Sequence, residues 1–345
     1  MSNTVNRQIL LASRPVGEPA PENFTLTSSA IPEAGDGELL CRTIYLSLDP
    51  YMRGRMNDAK SYAAPVGLGE VMTGGTVSEV ITSNADGFAP GDIVMGYGGW
   101  QEYSIATKQS GLRKIDPTLA PISTAVGVLG MPGMTAYTGL LNIGQPKEGE
   151  TVVVAAAAGP VGSLVGQIAK LKGCHVVGIA GSPEKCKYVK DELGFDACIS
   201  HRDENLYISL KQACPDGIDV YFENVAGKVL EAVIPQLNMF ARMPVCGLVS
   251  QYNMTELPIG KNMLPALMRT VLTNRVNIRG FIVWDFQSQE QEFLTEVSSW
   301  LKDGKVKFLE DRVQGLENAP EAFMGVLQGK NFGKMVVQVG EDVTR

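Results

Sequence analysis

Apolar positions follow two different rhythms along this chain of 345 residues. Up to about residue 125 they come in short runs broken by glycine and proline. Residues 39–48 predict one strand. Residues 75–81 alternate apolar and polar with the period of two expected of a half-buried strand. Pro90-Gly91-Asp92 is a turn signal that leads into an apolar run over 93–97. Short strands at this spacing predict an all-β, barrel-like domain.

From about residue 150 strand and helix alternate. Strands are predicted over 151–156, 175–180, 197–200, 218–222 and 242–246, with segments of helical length between them. Val161, Leu164, Val165, Ile168, Ala169 and Leu171 recur at helical spacing and predict one buried stripe. Such a βαβαβ order implies a parallel sheet with helices on its faces. A further strand is predicted over 278–283 and its helix over 290–301. After Gly304 the pattern returns to strand and loop, ending in a strand over 333–339.

Composition narrows the function classes. Apolar residues make up 44% and charged residues 19%, and the net charge is −7. Basic residues are scattered, so no surface for nucleic acid is expected. The first eight residues lack the apolar core of a signal peptide, and no run of about 20 apolar residues could span a bilayer. A cytoplasmic location is therefore expected. The six cysteines form no C-x-x-C pair, and Cys41, Cys198 and Cys246 fall in strand-like runs, as small hydrophobes do.

The chemistry concentrates in residues 152–166, where a buried strand passes through small residues into an amphipathic helix. Ala158, Gly159, Pro160, Val161 and Gly162 would let the main chain approach a pyrophosphate held by amides at the helix N-terminus. Pro160 suits the first helical turn, where its missing N–H costs nothing. The same spacing also suits a tight turn without a ligand; the strands on either side favour the dinucleotide. At the tip of the next strand an NAD enzyme usually carries Asp or Glu. Here the chain reads Gly181-Ser182-Pro183-Glu184-Lys185, so Lys185 fits a 2′-phosphate, although a solvated surface lysine is the plainer alternative.

Five segments occur together in one known group: Leu48-Asp49-Pro50-Tyr51-Met52-Arg53, Gly130-Met131-Pro132-Gly133-Met134-Thr135-Ala136-Tyr137, Ala157-Ala158-Gly159-Pro160-Val161-Gly162, Cys246-Gly247-Leu248-Val249-Ser250-Gln251-Tyr252-Asn253 and Lys330-Asn331-Phe332-Gly333-Lys334. Over nearly its whole length the chain resembles the zinc-free prostaglandin reductase and alkenal/enone reductase branch of the medium-chain dehydrogenases/reductases, bacterial NADPH-dependent curcumin reductases above all. The resemblance implies an α/β fold: a GroES-like β-barrel catalytic domain over 1–130, a Rossmann doubly wound parallel-sheet domain over 131–305, and a C-terminal segment over 306–345 that returns to the first. It implies NADPH as cofactor and a homodimer. It also implies cofactor contacts from Met131, Thr135, Ala158, Gly159, Pro160, Val161, Gly162, Lys185, Asn224, Cys246, Gly247, Leu248, Val249, Ser250, Tyr252 and Asn331, and from the backbone of Phe281, Ile282 and Val283. His201 stands where relatives usually carry a tyrosine near the adenosine phosphate. Ala226 replaces a usual glycine.

Zinc enzymes of the wider superfamily place a Gly-His-Glu element where this chain has Gly67-Leu68-Gly69-Glu70. Its two histidines, His175 and His201, lie in the nucleotide-binding half, and no four-cysteine cluster exists, so no metal is expected. Without a Lewis acid, hydride transfer suits an alkene conjugated to a carbonyl, whose enolate needs only hydrogen bonds. Tyr252 is the candidate catalytic donor, and Tyr51 and Tyr62 the candidate lining of the substrate cleft; packing with a satisfied hydroxyl is the alternative for each. Two other functions share these features: an NADPH quinone reductase, and a catalytically silent NADPH-binding protein.

Overall fold

The computed structural model describes residues 5–256 and 262–344. In chain order the strands are β1 (Val5–Leu11), β2 (Phe24–Ala30), β3 (Glu38–Ser47), β4 (Thr76–Ser83), β5 (Ile93–Gly96), β6 (Tyr103–Thr107), β7 (Arg113–Lys114), β8 (Thr151–Ala155), β9 (His175–Ala180), β10 (Ala197–Ser200), β11 (Ile218–Phe222), β12 (Leu237–Val245), β13 (Asn277–Gly280), β14 (Glu310–Gln314) and β15 (Lys334–Gln338). The α-helices are α1 (Met52–Arg55), α2 (Met131–Thr138), α3 (Pro160–Leu171), α4 (Pro183–Asp191), α5 (Leu206–Ala213), α6 (Gly227–Val233), α7 (Leu264–Asn274), α8 (Glu290–Lys302) and α9 (Ala319–Leu327). None of the described helices is long and apolar enough to cross a membrane. The chain forms two compact units. One holds Met1–Gly127, Asn253–Thr255 and Glu310–Arg345; the other holds Val128–Tyr252 and Glu256–Leu309.

In the first unit, β1 and β2 pair antiparallel, and a seven-stranded sheet runs β14-β15-β3-β4-β5-β7, with β6 also on β3. Strand β3 sits inside this sheet and is buried along nearly its whole length. Its side chains reach three separate apolar cores: Leu46 joins one with Trp100 and Phe323, Ile44 and Tyr45 a second, and Leu39 and Cys41 a third. The Trp100 ring stacks on Phe24 at 5.6 Å and meets Phe323 edge-on at the same distance. Helix α9 supplies Phe323, which corrects the strand-and-loop expectation after Gly304. Pro320 in the first turn and Ala319, Phe323 and Val326 at helical spacing explain it: they seat one buried face on this core.

Just past β3 a buried ion pair fixes the chain. The Lys334 ammonium, on β15, donates to Leu48 O at 2.7 Å and to Asp49 Oδ1 at 3.0 Å, while Ser47 donates to the other Asp49 oxygen. Burial pulls the Lys334 ammonium down and Asp49 opposes that shift. Charges so far from water persist only when paired, so this contact sets where the turn carrying Tyr51 begins.

The second unit is built on a six-stranded sheet in the order β10-β9-β8-β11-β12-β13, parallel throughout. Strand β8 is buried at every position, as a strand covered by helices on both faces must be. The order reverses between β8 and β11, the place where doubly wound sheets open a crevice at their carboxyl ends. Helix α3 begins at Pro160, as the sequence predicts. Its stripe differs at the ends and in the middle: Val161 is half-buried, Leu171 is exposed and Gln167 is buried. The Gln167 amide explains the exchange, because it donates to Lys307 O at 2.9 Å and accepts the Lys307 amide at 2.7 Å. The strand predicted over 278–283 ends at Gly280. Past it, Asp285 accepts the Ile282 N–H at 3.0 Å and winds Val283–Gln289 into a 3₁₀ turn.

Candidate nucleotide site and tyrosine cluster

The turn between β8 and α3 is shaped by close approach. A Cβ on Gly162 would lie 2.4 Å from Ala156 O, so only glycine lets the helix start so near the strand. Ala156 itself adopts φ +52°. The first bond of the helical ladder runs from Ser163 N to Gly159 O at 2.9 Å. The amides of Val161 and Gly162 precede that bond at the positive end of the helix. Their direction and the absence of bulk suit a phosphate, so the residues present fit a dinucleotide.

Beside this turn stands the end of β11. The Asn224 Nδ2 donates to Ala155 O at 2.8 Å, tying the two strand ends together. The loop after β12 folds onto the same place. Cys246 N and Gly247 N donate to Glu223 O, Val249 N to Asn224 O and Ser250 N to Val225 O. The Ser250 hydroxyl also donates to Val225 O at 2.5 Å. Burial pushes the Cys246 thiol up to about 12, so it stays a thiol and not a nucleophile. At the end of the loop the Tyr252 oxygen accepts the Leu248 N–H at 3.3 Å.

Glu223 was not anticipated from the sequence, yet it organises this turn. Its Oε1 accepts the amides of Val225 at 2.6 Å and Ala226 at 2.8 Å. Those bonds hold Ala226 at φ +68°, ψ −156°, a region almost reserved for glycine. The other oxygen, Oε2, and the Tyr221 hydroxyl are both buried without a well-formed hydrogen bond. Desolvation raises the Glu223 carboxyl, with its hydrogen bonds only partly opposing the shift.

At the tip of β9, Ser182 caps α4 by accepting the Lys185 amide at 3.3 Å, and Glu184 faces solvent. His201 follows β10 directly, and a Cβ on Gly181 would lie 3.2 Å from its Nε2. Desolvation, then the cations Arg202 and Lys185, hold the His201 imidazolium below its ordinary value. Three potentially cationic side chains thus gather at one strand tip. Arg202 is the member the sequence did not point to.

On α2, Thr135 Oγ1 donates to Met131 O at 2.7 Å. The Phe281 ring is buried and meets Phe222 edge-on at 6.3 Å, so its side chain belongs to the core, while Ile282 and Val283 follow in the turn described above. Asn331 lies in the first unit, where its Nδ2 donates to Gly333 O at 2.7 Å. Tyr51 and Tyr62 also belong to the first unit, Tyr51 half-buried and Tyr62 54% exposed. Burial, with Asp49, Tyr97 and Tyr62 close by, pushes the Tyr51 phenol well above its usual value, so it remains protonated. Among the described residues no three His, Cys, Asp or Glu side chains are grouped to hold a metal ion.

Comparison with known proteins places these features in context. Residues 7–115 match a family described as the N-terminal domain of oxidoreductase, and residues 160–299 one described as zinc-binding dehydrogenase. The chain is 55% identical over 338 residues to the NADPH-dependent curcumin reductase of Escherichia coli (strain K12), covering 98% of each. It is 42% identical over 343 residues to the NADP(+)-dependent 2-alkenal reductase of Nicotiana tabacum, again covering 98% of each. The crystal structure of CurA from Vibrio vulnificus in complex with NADPH superposes with a TM-score of 0.93 at 56% identity, covering 97% of this chain and 100% of that one.

The raised Glu223 carboxyl carries a testable pH signature. A group that binds its proton more tightly when folded stabilises the fold below its ordinary value of 4.5, and that contribution is lost as pH rises through the raised folded value. Urea unfolding of wild type and Glu223→Gln across this window should show the wild type losing stability relative to the variant as pH rises. Glu223→Ala, which strands two amides, should cost about 1–3 kcal/mol at low pH, and less as pH rises through the window.

Proposed function

Because the chain belongs to the medium-chain dehydrogenase/reductase superfamily, in its prostaglandin reductase and alkenal/enone reductase branch, we propose that it reduces the C=C bond of α,β-unsaturated ketones and aldehydes with NADPH, including curcumin-type enones. The observation that carries the proposal is the pairing of the β8–α3 phosphate cradle with the cations Lys185 and Arg202 and the His201 imidazole at the tips of β9 and β10. Bound NADPH supplies a hydride. The amides of Val161 and Gly162 would hold the pyrophosphate, and Lys185, Arg202 and His201 the 2′-phosphate, a recognition that NADH cannot satisfy. Asn224, the loop from Cys246 to Tyr252, Met131, Thr135, Asn331 and the backbone of Phe281, Ile282 and Val283 would complete the cofactor site.

In this account no metal polarises the substrate carbonyl, and Tyr252 takes that role as hydrogen-bond donor. Its oxygen already accepts the Leu248 amide, which strengthens the donation of its own proton to an enolate oxygen. Tyr51 and Tyr62 would line the substrate cleft. We also assign the protein to the cytoplasm and to a homodimer. Strand β13 is the sheet edge and exposed at all four positions, and Leu272, Ile278 and Trp284 near it in sequence are exposed apolar residues, a surface that a second copy would cover.

The direct test is NADPH oxidation with enones, enals and quinones as acceptors, NADH as control and product analysis. Saturated ketone is the expected product. Hydroquinone alone would favour a quinone reductase, and no oxidation at all would favour a silent NADPH-binding protein. For the cofactor assignment, Lys185→Ala removes a charge-assisted bond and should weaken NADPH binding about 10-fold, the low end for a half-exposed group. NADH binding should be unchanged; equal losses for both would contradict the assignment.

A further inference from the structure

Arg55 closes the single turn of α1 and is only 6% exposed, yet among the described residues no carboxylate pairs with it. A buried guanidinium without an anion is costly unless something else receives its charge. Its Nη1 donates to Ala63 O at 2.7 Å, and its carbonyl accepts the Val66 amide at 2.8 Å. Its central carbon lies 4.4 Å from the centroid of the Tyr62 ring and 5.8 Å from that of Tyr51. Two aromatic faces thus take the place of a carboxylate.

The consequence falls on Tyr62. This residue sits on the loop that follows α1, 54% exposed, where a tyrosine would ordinarily sample several rotamers. Arg55 grips the loop just after Tyr62 through Ala63 and Val66, and packs against its ring. Tyr62 therefore presents a flat, preordered aromatic surface, and ordering a contact in advance lowers the cost of binding to it. An aryl group stacks on such a surface; a short alkyl chain gains little from it.

We infer that Arg55 is a positioning residue that holds Tyr62 as a stacking platform and so gives the site a preference for aryl-conjugated enones over alkyl ones. This inference rests on the proposed placing of Tyr51 and Tyr62 at the substrate cleft. The charge matters because it binds the ring by its face; the planarity matters because a flat guanidinium packs on an aromatic face as an ammonium does not.

Steady-state kinetics with 4-phenyl-3-buten-2-one and 3-penten-2-one test it. Arg55→Met should raise KM for the phenyl enone about 3- to 10-fold with little change in kcat, and KM for the alkyl enone by less than about twofold. Tyr62→Leu should give the same split, and the double variant no more than Tyr62→Leu alone, since the two act as one unit. If Arg55→Met does not fold, Arg55→Lys, which keeps the charge and loses the plane, should show the split instead. Equal changes for both substrates, or none, would overturn the inference. Failure of the wild-type protein to turn over either enone would overturn the enone activity itself, and the inference with it.

Discussion

The approach of α3 to the end of β8 is the constraint on which the nucleotide unit turns. Helix and strand meet so closely at Gly162 that a methyl group there would drive into Ala156 O. That contact aims the helix N-terminus at the crevice where the strand order reverses. The neighbouring pieces are referenced to the same point: Asn224 bonds to Ala155, Glu223 shapes the turn behind Asn224, and the loop after β12 hangs from Glu223, Asn224 and Val225. Glycine at 162 is therefore a geometric requirement.

The first unit solves a different problem with similar means. Lys334 and Asp49 are buried together where β3 ends, and their pairing fixes the turn that carries Tyr51. A few residues on, Arg55 is buried with no carboxylate partner among the described residues and leans on Tyr51 and Tyr62. One cation is paired with a carboxylate and the other is attracted to the faces of aromatic rings. Only the second leaves its partner exposed to bind something else.

Much of this was legible in the sequence because it was written in local patterns. Strands β9, β10 and β11 have the bounds their apolar runs predict, and the proline at 160 marks the start of α3. What escaped was decided by distant contacts. Gln167 is inside because Lys307, 140 residues away, offers both a donor and an acceptor. Helix α9 is short and rich in small residues, and its buried face becomes evident only against Trp100 and Phe24. The apolar run after Gly280 resembles a strand until Asp285 caps it into a turn. Glu223 and Arg55 escaped as well, since a lone acid or base in a sequence does not reveal that it will be buried.

On the proposed function, hydride delivery needs an acceptor activated by its own conjugation. NADPH carrying deuterium at C4 of the nicotinamide, incubated with the enzyme and an enone, tests it through the NMR spectrum of the product. Deuterium is expected on the β-carbon of a saturated ketone. Deuterium on the carbinol carbon of an allylic alcohol would contradict it.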